Sequence, residues 1–344
     1  MNLQRICVLG GTGFVGQALV SQLVTRGKHV RVLTRMRERS KELVLLPTVE
    51  VVEADIHDER ELVRQFRGMN AIINLVGILH EETPRRKALP DEQRADFQRC
   101  HVELPRHIIQ ACAETGVRRL LHMSALGARE TSNSAYQRSK GAGEAIVREL
   151  AIRQDELHGG ALNSPKFGDH PKPDATIFRP SVIFGRGDKF ITLFAQLARL
   201  FPVIPLASAN TRFQPVWVED VARAFAESLE DLNTFGHSYD LCGPTSYTLR
   251  EIVEYAGHLQ GKSPRIIALN DRLSYLQAWA MEFKPGAALM TRDNYYAMQE
   301  DSVCTGKWPF AFAPATLEAV APCYLAGEGQ RARYDGFRGH ARRH

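Results

Sequence analysis

Three glycines near the start of the chain have the spacing of a phosphate-binding turn. Gly10, Gly13 and Gly16 directly follow the apolar run of residues 6–9 and precede a helix-like segment. Glycine lets a turn tighten and lets backbone N–H groups approach a pyrophosphate, whose charge the helix N-terminus favours. The alternative is a purely structural turn. We predict a nucleotide site formed by Gly10, Thr12, Gly13, Phe14, Val15 and Gly16.

The residues after the second predicted strand indicate which nucleotide binds. NAD-binding proteins usually place an acidic residue there for the ribose 2′-hydroxyl. This chain has Arg35, followed by Arg37 and Arg39. A guanidinium suits a 2′-phosphate, because it donates charge-assisted hydrogen bonds. We therefore predict NADP(H) in preference to NAD(H), with a solvated basic loop as the alternative.

Residues at two further strand ends are candidate cofactor contacts. Asp55 and Ile56 follow the third predicted strand, where the adenine end of a nucleotide would lie. Val76 and Gly77 end the fourth, and a small residue there leaves room for the cofactor. For Asp55, an exposed turn aspartate is the alternative interpretation.

A serine, a tyrosine and a lysine follow the fifth predicted strand at a spacing suited to proton transfer. Tyr136 and Lys140 are four residues apart and share a helix face, so the ammonium can lower the phenol pKa and make Tyr136 a general acid or base. Ser124 would hydrogen-bond the substrate oxygen. The chain has no other Tyr-x-x-x-Lys. The alternative is a surface helix on which all three residues are ordinary.

Short β-branched runs alternate with helix-like segments through the first half, which is typical of a parallel sheet covered by helices. The predicted strands are 6–9, 30–33, 49–52, 71–76, 120–123 and 176–178, and the predicted helices are 14–26, 62–66, 97–115, 139–152, 190–200 and 249–259. These elements predict an α/β fold with a doubly wound parallel Rossmann sheet and a smaller C-terminal lobe.

The expected domains follow from where this alternation weakens. The nucleotide domain comprises residues 1–183 and 214–243, the lobe 184–213 and 244–330, and a basic tail 331–344. The tail holds five arginines against one aspartate. Because these account for most of the net charge of +5, the body lacks the basic surface that nucleic-acid binding requires.

Cysteine and hydropathy patterns predict the compartment. Six cysteines occur without a Cys-x-x-Cys pair, which suggests reduced thiols and neither a disulfide framework nor a metal site. The first strand begins at residue 6, which leaves no room for a signal peptide, and no apolar stretch is long enough to cross a bilayer. We expect a cytoplasmic protein, with peripheral membrane contact through the tail as an alternative.

Several segments together resemble the extended or atypical branch of the short-chain dehydrogenase/reductase superfamily. They are the glycine turn, Ser124, the Tyr136-Lys140 pair and residues 179–185. More narrowly, residues 124–128, 136–140, 213–222 and 289–294 resemble the NAD(P)H-binding accessory subunit of respiratory complex I and its bacterial homologues. The resemblance implies a bound NADP(H), with Pro180 near the nicotinamide and the lobe above it. It does not imply a substrate.

Two roles remain open from the sequence. One is hydride transfer on a small carbonyl or alcohol with Tyr136 as acid or base, or epimerase/dehydratase chemistry of the same superfamily. The other is a non-catalytic, nucleotide-holding accessory or assembly subunit of respiratory complex I.

Two departures from the superfamily pattern bear on this choice. His101 stands where many catalytic members carry an asparagine that relays protons. It could move protons itself or simply pack against the sheet. Residues 153–175 form an insertion that we expect to decorate the surface.

Overall fold

A parallel sheet forms the centre of the computed structural model, which describes residues 3–81, 96–151, 166–167, 170–283 and 290–326. In chain order the strands are β1 (Arg5–Leu9), β2 (His29–Thr34), β3 (Val49–Glu53), β4 (Ala71–Asn74), β5 (Arg119–Met123), β6 (Lys166–Phe167), β7 (His170–Pro171), β8 (Asp174–Pro180), β9 (Ile183–Phe184), β10 (Val203–Leu206), β11 (Arg212–Phe213), β12 (Val216–Trp217), β13 (Ser238–Leu241), β14 (Tyr247–Thr248) and β15 (Arg265–Ala268).

Helices cover the sheet and build the lobe. They are α1 (Phe14–Thr25), α2 (Lys41–Val44), α3 (Glu59–Phe66), α4 (Leu104–Thr115), α5 (Ala135–Leu150), α6 (Ile191–Leu200), α7 (Val218–Ser228), α8 (Leu249–Leu259), α9 (Asp271–Glu282), α10 (Arg292–Ala297), α11 (Leu317–Val320) and α12 (Pro322–Leu325). A π-helical stretch, Gln98–Glu103, leads directly into α4.

The sheet has the strand order β13-β8-β5-β4-β1-β2-β3. All six neighbouring pairs are parallel. The chain winds in one direction from β1 to β3 and in the other from β4 to β13. The direction reverses between β1 and β4, which is where doubly wound sheets bind ligands. The predicted α/β doubly wound fold is confirmed.

Two apolar layers enclose the sheet. On one face α1 and α7 pack through residues such as Leu19, Leu23 and Phe225. On the other, α3, α4 and α5 pack through residues such as Phe66 and Ile108. Strand β1 is buried from Ile6 to Leu9 because helices cover both faces, which explains its continuous apolar run.

A third apolar cluster makes the lobe. Helices α6 and α8 pack together, with Ile191 and Ile252 fully buried. The two-stranded pair β10–β15 lies beside them. The predicted domain boundaries stay predictions, and the predicted tail, 331–344, lies outside the described residues, as does most of the 153–175 insertion.

The cysteine prediction was wrong for two of the six. Cys242, just after β13, and Cys304 form a disulfide across 62 residues, with Cα atoms 6.1 Å apart. The sequence did not indicate this disulfide, because the two cysteines are far apart in the chain and meet only when the segment after α10 returns to the sheet. The other four cysteines are free.

Two helix predictions also needed correction. Helix α5 begins at Ala135, four residues before the predicted start, because the Ser134 side chain caps it by accepting from the Gln137 N–H. The predicted helix 97–115 is not uniform, since its first part is the π-helical stretch. Among the described residues, no helix is both long and apolar enough to cross a membrane.

Candidate nucleotide and active site

The glycine turn is closed so tightly that two of its glycines cannot be replaced without movement. Gly10 has a φ of +80°, and the Gly13 N–H donates to its carbonyl at 3.0 Å. A Cβ on Gly16 would lie 2.3 Å from the Gly10 oxygen, where only a hydrogen fits. Phe14 begins α1, and no side chain caps that helix. The first N–H groups of α1 therefore remain available at the carboxyl edge of the sheet, where they can bind the phosphates of a dinucleotide.

The remaining turn residues support this geometry. The Thr12 carbonyl accepts from Gln17 Nε2 at 3.2 Å, and Val15 packs on the core under α1. The Phe14 ring lies 3.5 Å from the position of a Cβ on Gly185 and 3.9 Å from one on Gly187. The turn is thereby held between the sheet and the segment that follows β9.

The predicted ribose and adenine contacts lie at the ends of β2 and β3. Arg35 and Asp55 are both exposed. Asp55 Oδ1 accepts from the His57 N–H at 2.9 Å, and Ile56 packs against the second core layer. Burial lowers the pKa of His57, and the nearby Arg35 charge adds to that effect. Arg35 therefore lies near the segment after β3, and its exposed guanidinium is available to bind a phosphate.

The end of β4 meets the lysine of helix α5. Lys140 Nζ donates to the Val76 carbonyl at 3.3 Å and to the Met123 carbonyl, at the end of β5, at 3.1 Å. It lies 3.1 Å from the position of a Cβ on Gly77, which explains the small residue there. Burial lowers the pKa of Lys140 to about 8. A cation is therefore fixed at the carboxyl edge of the sheet.

Tyr136 lies one turn before Lys140 on the same helix. Its ring is half-buried and meets those of Phe97 and His101 edge-on, with centroids 6.1 and 5.7 Å away. Burial raises the pKa of Tyr136 to about 12. The lowering of this pKa by Lys140 that the spacing predicted is not found, because burial outweighs it; the phenol is protonated at neutral pH, which suits a proton donor.

Ser124 is placed differently from the other two residues. It is buried at the end of β5, where its N–H donates to the Phe178 carbonyl at 2.7 Å. Burial opposes ionisation of Glu144, but the hydrogen bonds and charge of Arg179 outweigh it and lower the pKa of that carboxyl. The structure places Tyr136 and Lys140 one turn apart on α5, and among the described residues it leaves the buried Ser124 hydroxyl without a hydrogen-bond partner.

Pro180 ends β8 beside this group. It is buried, and its carbonyl accepts from the Leu126 N–H at 3.0 Å. The preceding residue, Arg179, is ion-paired with Glu144 on α5. Pro180 therefore lies at the same carboxyl edge as Lys140.

His101 is held as a neutral imidazole. Its Nε2 accepts from the Ile78 N–H at 3.1 Å, so Nδ1 carries the proton and donates to Ser139 Oγ at 2.8 Å. Ser139 Oγ then donates to the Tyr136 carbonyl at 2.9 Å. Burial, followed by the Lys140 charge, lowers the pKa of His101 to about 2. Both nitrogens already have hydrogen-bond partners, Nε2 the Ile78 backbone N–H and Nδ1 the Ser139 hydroxyl, which favours packing over proton relay.

One residue of this site was not predicted. Asp293, in the lobe, accepts from Ser134 Oγ at 3.0 Å and from the N–H groups of Ala135 and Tyr136 at 2.5 and 3.1 Å. It caps the helix that carries Tyr136, where a carboxylate also suits the helix dipole. Its segment, 289–294, was noted for its resemblance, but the sequence did not indicate this contact.

The residues present fit a dinucleotide. The glycine turn leaves space that a Cβ would fill, and the helix start beyond it is uncapped. Within the described ranges, no group of three or more His, Cys, Asp or Glu side chains could hold a metal ion.

Known proteins share these features. The chain is 32% identical over 254 residues to the Mus musculus protein named NADH dehydrogenase (ubiquinone) 1 alpha subcomplex subunit 9, mitochondrial. The alignment covers 72% of this chain but 59% of that relative, which is less than two thirds of its length. It is 31% identical over 276 residues to the ceramide reductase of Caulobacter vibrioides, covering 77% of this chain and 74% of that one.

Solved structures share the fold. The UDP-glucose 4-epimerase of Thermus thermophilus, in complex with NAD, superposes with a TM-score of 0.57 at 20% identity, over 86% of this chain and 99% of that one. Residues 6–242 match the family described as NAD dependent epimerase/dehydratase. The resemblance found in the sequence is confirmed, and this chain belongs to the NAD dependent epimerase/dehydratase family.

Proposed function

We propose that this protein is an NADP(H)-dependent oxidoreductase that interconverts a small carbonyl compound and its alcohol, with Tyr136 as general acid or base. The position of Lys140 supports this most strongly. Its ammonium lies against the carbonyls that follow β4 and β5, at the crevice edge, one helical turn from Tyr136. An epimerase or dehydratase of the family could use the same pair.

The preference for NADP(H) rests on Arg35. Its guanidinium is exposed after β2, where an acidic side chain would favour the 2′-hydroxyl of NAD(H). A phosphate in this position would gain a charge-assisted hydrogen bond.

In the proposed reaction each side chain has a separate task. Bound NADP(H) supplies or accepts the hydride. Tyr136 Oη donates a proton to the substrate oxygen during reduction and takes it back during oxidation. The Lys140 ammonium would stabilise the phenolate that remains and would hold the ribose of the nicotinamide half. Ser124 Oγ, which has no hydrogen-bond partner within the described ranges, would hydrogen-bond the substrate oxygen.

A second function is an accessory or assembly subunit of a membrane-bound respiratory complex, in the cytoplasm at the membrane surface. The relative named NADH dehydrogenase (ubiquinone) 1 alpha subcomplex subunit 9 supports it. Here the nucleotide would stabilise the fold, since a ligand at 100 times its Kd adds about 2.7 kcal/mol.

Turnover separates these two functions. NADPH consumption is measured with aldehydes, ketones, quinones, nucleotide sugars and long-chain keto-amides, the last because one relative is named a ceramide reductase. The oxidoreductase proposal predicts turnover that falls about 10²–10⁴-fold in Tyr136→Phe. The matched control, Tyr296→Phe, alters an exposed ring in the lobe and leaves turnover unchanged.

Two other results would change the assignment. Absence of turnover, combined with a large rise in Tm on adding NADPH, would favour the accessory function. Turnover that survives Tyr136→Phe would mean that another group moves the proton.

A further inference from the structure

Helix α9 has its apolar residues on the wrong side for a surface helix. Ser274 and Ala278 are buried against the lobe, whereas Leu276, Trp279 and Phe283 are 52%, 44% and 56% exposed. Spacings of three and four residues place these three side chains along one outward line. A helix on the surface of a globular protein normally buries its large apolar side chains and exposes its small and polar ones.

The neighbouring strand pair extends this apolar surface. Val203 and Ile267, in β10 and β15, are both exposed. Helix α9 is fixed next to them, because Gln277 Nε2 donates to the Pro205 carbonyl at 2.9 Å. We call Val203, Ile267, Leu276, Trp279 and Phe283 the lobe face. Single exposed apolar residues are ordinary, but a contiguous group marks an interaction surface.

Positive charges accompany the lobe face. Arg265 is the register partner of Val203 and therefore points to the same side of the strand pair. Arg272 precedes Leu276 by one turn on the outward line of α9. Both are exposed, and neither has an ion pair or side-chain hydrogen bond within the part of the chain that the structure describes. Of the two acidic residues on α9, Glu282 is ion-paired with Arg292, and Asp271 is exposed in the first turn, near Tyr295.

We propose that the lobe face binds the surface of an anionic phospholipid bilayer. Leucine and phenylalanine would enter the acyl boundary, Trp279 would lie at the headgroup level, and the arginines would meet lipid phosphates. A second copy of this chain fits less well, because a twofold interface would bring the same unpaired cations together. The proposal is independent of the reaction at Tyr136.

Co-sedimentation of the full-length protein with vesicles tests it. We expect binding to phosphatidylcholine vesicles that contain phosphatidylglycerol, weaker binding to pure phosphatidylcholine, and weakening by salt. Loss of each arginine, in Arg265→Gln and Arg272→Gln, should weaken binding about fivefold. The double variant Leu276→Glu with Phe283→Glu should weaken it at least about tenfold, because two exposed apolar contacts become repulsive.

A matched control distinguishes binding through the lobe face from binding through any exposed apolar residue. Leu45→Glu with Leu232→Glu alters leucines that are 83% and 59% exposed elsewhere, and it should bind as the wild type does. The rise in Tm with NADPH must be retained in every variant, which shows that the fold and the nucleotide site are intact. This readout also keeps a failure here separate from a failure of the proposed reaction.

Three outcomes would overturn the proposal. They are absence of wild-type binding to anionic vesicles, equal binding by the lobe-face variant, and a concentration-dependent dimer that this variant abolishes. The last would assign the surface to a second copy of the chain.

Discussion

The glycine turn and the start of helix α5 are both parts of one candidate site, but they are held by different means. The turn between β1 and α1 is closed by its own backbone, with Gly16 against Gly10. The start of α5 is held by Asp293, whose contact with the Tyr136 N–H spans 157 residues. The first depends on neighbouring residues and the second on the whole chain, so they should respond differently to substitution.

The largest effect is expected within the turn. In Gly16→Val a side chain would meet backbone that cannot move, which costs about 3 kcal/mol through overpacking and removes nucleotide binding. Calorimetric titration with NADPH and the Tm measure both. Gly306→Val is the control, because a Cβ there meets nothing within 4 Å. A Gly16→Val protein that binds NADPH normally would show that the turn is not the phosphate site.

The preference between NADPH and NADH tests the role of Arg35, which follows β2. Arg35→Asp should reduce NADPH affinity about tenfold to a hundredfold, since one charge-assisted contact is worth about 1.5–3 kcal/mol, and should narrow the preference over NADH. Arg199→Asp, an exposed change on α6, is the control. Titrations of both nucleotides decide the matter. Equal wild-type affinities for the two would contradict the predicted role of Arg35.

A substitution at the start of α5 is expected to reduce stability less than one in the turn, and to reduce turnover more than nucleotide binding. Asp293→Ala removes a cap and should cost about 1 kcal/mol of stability. It should also lower kcat several-fold with little change in NADPH affinity, because Tyr136 shifts while the turn does not. Asp301→Ala is the matched control, since Asp301 accepts from the Arg212 N–H away from α5. An Asp293→Ala protein that loses NADPH affinity but keeps its kcat would contradict the view that the turn and the start of α5 are held independently.

At neutral pH the smallest effect on stability concerns His101, which lies between the two regions, and the effect grows only as the pH falls. Its pKa is about 2 in the folded chain and about 6.5 when unfolded, because burial and Lys140 oppose the charge. Below pH 6.5 the unfolded chain binds the extra proton, so stability falls as pH falls, by about 1.4 kcal/mol per pH unit. His101→Asn should reduce this slope in urea unfolding at several pH values. An unchanged slope would mean that His101 is protonated in the native state.

The same contrast explains what the sequence could predict. The strands, the glycine turn and the Tyr136–Lys140 spacing depend on neighbours in sequence, and all were found near their predicted positions. The burial of the Ser124 hydroxyl without a hydrogen-bond partner was not predictable, because it depends on how the end of β5 sits against α5. The Cys242–Cys304 bond and the Asp293 cap were also out of reach, because each joins segments that only the folded lobe brings together.

A crystal structure with bound NADPH tests the central claim most directly, because it measures where the nicotinamide lies relative to the α5 pair. We expect Lys140 Nζ about 3 Å from the ribose hydroxyls of the nicotinamide half, with Tyr136 Oη facing open space beside the ring. Phosphates on the first N–H groups of α1 should accompany this arrangement. A nicotinamide lying away from Tyr136, or a site above the ring filled by the chain's own side chains, would contradict the claim and leave the nucleotide a structural role.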